Sequence, residues 1–184
     1  MAWTAPMTFV DGSALTAPQM NTHLRDNLSE QAASKASTPG AYFTVVAPNF
    51  ITERSWAVAS VPNQIVNFEE TSYDDLDGSY GPEVTLQTGT SALVFISTSA
   101  RCQNSKTYIS FAVSGESSID PADENAIAVQ QQGSTNADAA WMMSSTIVPL
   151  RNLEPGTNTF TMKYRVQEEG VADFQFREIT VIPF

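Results

Sequence analysis

Thr159-Phe160-Thr161-Met162-Lys163-Tyr164-Arg165-Val166 decides how this chain reads. Phe160, Met162, Tyr164 and Val166 share one side of an extended backbone, and Thr159, Thr161, Lys163 and Arg165 share the other. Strand side chains alternate between faces, so this stretch predicts a β-strand with one buried and one wet face. Just upstream, Glu154-Pro155-Gly156-Thr157 fits a type II turn, with Pro at the second position and Gly at the third.

The same pattern spreads outward. Ile109, Phe111 and Val113 alternate and close at Ser114-Gly115, while residues 92–96 are apolar on both faces, as a central strand requires. Residues 42–46, 56–61, 64–68, 84–87, 141–148 and 174–182 are further strand candidates. The last carries a phase break: Phe174 and Phe176 have one parity, Ile179 and Val181 the other. A β-bulge near Arg177-Glu178 would restore a single buried face. About eight strands with no helical pattern between them predict a mostly β chain, an antiparallel β-sandwich or jelly roll over residues 41–184.

Residues 1–40 read differently. Residues 1–15 mix Trp3, Phe9 and Val10 with Pro6 and Gly12, without period but too apolar for an idle tail. A helix is expected over about 16–34. Thr16 and Gln19 match a capping box, and Pro18 sits in the first turn, where its missing N–H costs nothing. Its apolar positions, Met20, Leu24 and Leu28, form a stripe too narrow to cover a globular core. Such a stripe suits a coiled-coil-like seam or a groove on another subunit; the alternative is packing on the chain's own sandwich. Small residues from Ala32 to Thr38, ending in Pro39-Gly40, read as a linker. The expected organisation is a docking arm, helix and linker at 1–40, then the sandwich at 41–184.

Composition narrows the function. Nine Lys and Arg stand against 20 Asp and Glu, a formal charge of −11, and a surface this acidic repels phosphate backbones. Nucleic acid is therefore not an expected partner. No apolar run reaches the roughly 18 residues of a membrane span, and the N-terminus lacks a secretion-signal pattern, so synthesis in the cytoplasm is expected. Cys102 is the single cysteine and is read as a small buried side chain.

Catalytic groups are sparse. His23 is the one histidine, and it lies on the arm helix as a polar flank of the stripe. No nucleophile elbow, P-loop, dinucleotide fingerprint or zincin motif occurs, so no catalytic residue, metal or cofactor is assigned and an enzyme is not expected. Asp75-Leu76-Asp77-Gly78 shares a fragment with calcium loops but lacks the rest of the pattern, and reads as a solvated loop, as does Asp120–Glu124. Tyr73, Tyr80 and Trp141 lie near loops and are candidate glycan contacts, with core packing as the alternative.

Residues 1–27, with Trp3, Phe9-Val10, Gly12, Leu15-Thr16-Ala17 and the run Met20-Asn21-Thr22-His23-Leu24-Arg25-Asp26-Asn27-Leu28, resemble the N-terminal arm of virion proteins of tailed phages of actinobacteria. Thr88-Gly89-Thr90-Ser91-Ala92-Leu93-Val94, Phe111-Ala112-Val113-Ser114-Gly115, Pro155-Gly156-Thr157-Asn158-Thr159-Phe160-Thr161, Tyr164-Arg165-Val166 and Phe176-Arg177-Glu178-Ile179-Thr180-Val181-Ile182-Pro183 are similar to the same group. The resemblance implies a phage structural protein on the virion surface, with the arm anchored to capsid or tail subunits and the sandwich projecting, commonly as a homotrimer. Capsid decoration or a head fibre is the leading reading. A minor tail protein that contacts host surface glycans is the alternative. Trp3, Phe9, Val10, Met20, Leu24 and Leu28 are the expected docking or assembly residues.

Overall fold

A computed structural model describes residues 4, 7–8, 10–29, 31, 35–76, 81–103, 105–130, 139–168 and 170–184. The chain divides into two compact units, Met1–Ser55 with Phe184, and Trp56–Pro183. The expected boundary at Gly40 instead sets residues 41–55 with the sandwich.

The first unit holds a helix, α1, and a hairpin. Helix α1 covers 17–29 as an α turn at Ala17–Met20, a π-helical stretch at Asn21–Asp26 and a closing α turn at Asn27–Ser29. Of the residues beyond it that the sequence assigns to the helix, Glu30 and 32–34 lie outside the described residues. Strands β1 (Tyr42–Ala47) and β2 (Phe50–Arg54) form a two-stranded antiparallel sheet. Asn49 turns the chain at φ +60, a conformation Asn tolerates. The stretch read as a linker is tied down from Lys35 onward. Lys35 Nζ donates to the Ile51 carbonyl at 3.4 Å and lies 4.9 Å from the Phe50 ring centroid. The Ser37 amide and hydroxyl donate to Glu53 at 2.6 and 3.0 Å, and hold that carboxyl below its ordinary pKa.

The second unit is the sandwich. Its strands are β3 (Ala57–Val61), β4 (Ile65–Phe68), β5 (Glu83–Thr88), β6 (Ser91–Gln103), β7 (Lys106–Gly115), β8 (Ile127–Gln130), β9 (Met142–Arg151), β10 (Gly156–Val166) and β11 (Val171–Pro183). One sheet runs β5-β10-β7-β8; the other runs β3-β11-β6-β9, with β4 also on β11. All these pairings are antiparallel. If β3 and β5–β11 are counted in chain order as one to eight, the sheets read 2-7-4-5 and 1-8-3-6. That interleaving of early and late strands is the double Greek key of a jelly roll.

Alternation fills the core as expected. Phe160, Met162, Tyr164 and Val166 of β10 are fully buried, facing Ile96 and Val94 of β6 and Ile179 and Val181 of β11 across the sandwich. Strand β6 is central, between β11 and β9. Cys102 lies fully buried in the core, and burial pushes its thiol up to about 11.

Two expectations shift in detail. The turn before β10 is an open bend: Gly156 takes φ +147 rather than the roughly +80 of a type II turn. Asn158 holds it from within, donating to Glu154 O at 3.0 Å and Thr88 Oγ1 at 2.7 Å, and accepting from the Ser117 amide at 2.6 Å. The bulge in β11 exists, between Gln175 and Glu178, but it falls on Phe176. That residue adopts φ +49 and turns outward at 53% exposure, while Arg177 turns into the core with no exposed surface. The bulge therefore restores the inward phase of Ile179 and Val181, and leaves Phe176 off the buried face that Phe174 occupies.

Candidate functional site

Helix α1 carries three of the expected docking residues, Met20, Leu24 and Leu28. The capping box forms: the Thr16 amide donates to Gln19 Oε1 at 2.9 Å, and the Gln19 amide donates to Thr16 Oγ1 at 3.4 Å. The π stretch then changes how Met20, Leu24 and Leu28 align. In an α-helix four residues overshoot one turn by about 40°, so a four-spaced stripe winds round the axis. A π stretch carries more residues per turn, so four residues no longer overshoot and the stripe straightens.

Asn27 clamps the arm to this helix. Its Oδ1 accepts from the Thr4 amide at 2.9 Å, and its Nδ2 donates to Thr4 O at 2.9 Å and His23 O at 3.2 Å. Asn27 is the one fully buried residue on the described helix. Its signal in the sequence is a polar residue one position before Leu28, on a helix following an apolar arm.

The stripe itself is exposed: Met20 at 46%, Leu24 at 51% and Leu28 at 57%, with Val10 of the arm at 68%. Trp3 and Phe9 lie outside the described residues. Met7, Val10, Ala14, Leu15 and Gln19 line a small cleft of about 150 Å³ between arm and helix start.

The candidate glycan residues are placed differently. Tyr80 lies outside the described residues. Tyr73 is half-buried, its hydroxyl donating to Asp123 at 2.9 Å. The Arg165 guanidinium stands 5.5 Å from the Tyr73 ring and 4.0 Å from the Tyr108 ring, and pairs with Asp123 through both Nε and Nη2. Burial, and then the Asp123 carboxylate, push the Tyr73 phenol above its ordinary value. Arg165 holds Asp123 below the usual carboxylate range, with the Tyr73 hydroxyl assisting. Trp141 is half-buried, with the Arg101 guanidinium 4.7 Å from its ring and Arg101 in turn bonded to Asp173 at 2.7 Å. Tyr73 and Trp141 each carry a guanidinium on their ring, so neither ring is a bare stacking platform.

The acidic loops have structural uses. Backbone bonds join Asp74 to Tyr164 in both directions, at 2.9 and 3.0 Å, and the Asp75 carboxylate pairs with Lys163 at 2.9 Å. Among the described residues no three His, Cys, Asp or Glu side chains gather as metal ligands would. Among them, too, no helix is long and apolar enough to cross a membrane.

No family model matches the chain, and none of the curated proteins does. Weak likenesses to solved structures exist. Dimeric latent PorU from Porphyromonas gingivalis aligns over 67% of this chain and 13% of its own, at 12% identity and a TM-score of 0.34. Infectious bursal disease virus, Gx strain, aligns over 75% and 35%, at 10% identity and a TM-score of 0.36. A family 35 carbohydrate binding module from an environmental isolate aligns over 70% and 93%, at 17% identity and a TM-score of 0.29. This chain therefore spans well under two thirds of the first two. Likeness at this level carries no argument about this chain.

Proposed function

We propose that this chain is a structural protein of a phage particle, a capsid-decorating or head-fibre protein that docks by its N-terminal arm and displays the sandwich as a homotrimer. One observation carries the docking reading: Met20 and Leu24 stand half exposed on a helix whose arm is already clamped by Asn27. A clamped segment is pre-ordered, so its apolar side chains dock without the full entropic cost of ordering a loose tail. At about 25 cal/mol per Å² a few such anchors contribute several kcal/mol per chain, and threefold display multiplies the effective affinity. The reading assigns the sandwich no catalytic role. Glycan contact by a minor tail protein remains the alternative, and the guanidinium groups on Tyr73 and Trp141 do not favour it.

The test is co-sedimentation of the full chain with phage particles that lack it. Wild type binds; Leu24→Asp and Met20→Asp, which change exposed positions only, lose binding by tenfold or more. Equal binding by the variants, or none by wild type, overturns the docking reading.

A further inference from the structure

The two outer faces of the sandwich differ in a way that only one of them needs to have explained. The outward positions of β10 are Thr157, Thr159, Thr161, Lys163 and Arg165, paired with Glu83, Thr85 and Gln87 of β5. That is the ordinary wet face of an antiparallel sheet. The opposite face follows from the register of β3, β11, β6 and β9. Val58, Thr180, Phe95 and Ile147 form one cross-strand row, and Ile182, Leu93 and Pro149 another. Ser60, Glu178, Ser97 and Ser145 form a third, with Met143 beyond it. Val58, Ile147 and Met143 are exposed at 48%, 56% and 71%, and Trp56 and the bulged Phe176 are exposed at its margins. A groove of about 430 Å³ runs over it, floored by Phe95, Ile147 and Ile182. The first two rows adjoin, and apolar surface of this kind marks a contact surface.

We infer that this face, the outer side of β3-β11-β6-β9, is where copies of the chain meet. Charge limits where two copies can approach. Two copies at −11 each repel, and the repulsion is least where free carboxylates are fewest. Among the described residues on these strands, the outward carboxylates are Asp173, bonded to Arg101, and Glu178 alone at the centre. Area agrees. Four strands about 4.8 Å apart and the 10 residues of β9 at about 3.3 Å each give about 600 Å² in projection, near the 800 Å² per partner of a standard interface. Pro149 also interrupts the outer edge of β9, which directs association to the face rather than to edge-to-edge pairing. The inference deepens the self-assembly part of the proposed function by naming the surface, and does not depend on the docking of the arm.

The experiment is sedimentation velocity on the full chain, with Ile147→Lys and Val58→Lys as probes and Leu24→Asp as control. Both probe positions are exposed in the single chain, and circular dichroism with the thermal midpoint shows that the fold survives. A self-associating wild type, Ile147→Lys and Val58→Lys weakened about a hundredfold or more, and an unaffected Leu24→Asp support the inference. A monomeric wild type, or an oligomer indifferent to both lysines, overturns it. Loss of particle binding by Leu24→Asp with assembly intact leaves this inference standing and tests only the docking reading.

Discussion

Arg177 is a costly residue for the sandwich. Its side chain is fully buried, its Nη2 reaches Asn63 O at 3.2 Å, and its Nε and Nη1 find no partner among the described residues. It lies 6.0 Å from the Tyr164 ring, whose phenol burial pushes up while Arg177 opposes the shift. A buried charge with so little pairing is outweighed by its desolvation, so Arg177→Met, which keeps the volume, is expected to be neutral or stabilising by about 1–4 kcal/mol. Arg177→Ala leaves a cavity and costs about 2–5 kcal/mol. Urea midpoints for the two variants check the contrast, and equal losses would mean the charge itself holds the core. Asp123 behaves in the opposite way. Its folded pKa is depressed, first by the Arg165 hydrogen bonds, so its contribution is present above the unfolded value near about 4 and is lost as pH falls through the folded value. The carboxylate is 46% exposed, which limits the pair to about 1 kcal/mol or less. Wild type should therefore lose stability faster than Asp123→Asn as pH drops below about 4; superimposable urea-midpoint profiles would remove the pair from the stability of the fold. The sequence placed Asp123 in a loop without showing its Arg165 partner. Arg177 was legible as part of a phase break, but which of Phe176 and Arg177 turns inward is decided by the αL conformation at Phe176, which alternation does not encode.

The elements were legible where they are long. Strands β6, β7, β10 and β11 run over 10 to 13 residues, enough for several periods of alternation to show. Strands β2 and β8 were missed. Ile127-Ala128-Val129-Gln130 offers barely one period before residues 131–138, and Phe50–Arg54 ends in charges. The Pro48-Asn49 pair did mark a hairpin turn, and it was the usable signal for β2. In the helix, the capping box was readable because both partners lie within four residues; the Asn27 clamp was not, since it depends on where Thr4 lies. The clamp makes a prediction with two readouts of opposite sign. Asn27→Ala removes both bonds to Thr4, so the Thr4 amide should exchange about fivefold faster, the loss of about one bond's net worth. The same change improves helix propensity by about 0.5 kcal/mol, so helical signal should hold or rise. Unchanged Thr4 exchange would show that the arm is held by something other than Asn27.

The whole molecule sets a strong negative charge against one sheet face with few free carboxylates, and that opposition fixes how the proposed assembly should respond to salt. At low ionic strength the charge of −11 on each copy repels over distances beyond the contact itself. Near 0.1 M salt the screening length falls to about 10 Å, and higher salt shortens it further. Apolar contact through Val58, Phe95 and Ile147 is not weakened by that screening, so added sodium chloride removes the repulsion and leaves the attraction. The dissociation constant of the wild-type oligomer should therefore fall as salt rises, and Ile147→Lys should show the same slope displaced to weaker binding. Acid acts in the same direction until the Asp and Glu charges are lost, when the loss of the Asp123 pair begins to oppose it. Sedimentation across a salt series decides the matter. A constant that rises with salt would mean that copies meet through ion pairs, with Glu178 or Arg151 at the contact, and the apolar face would then need a different partner.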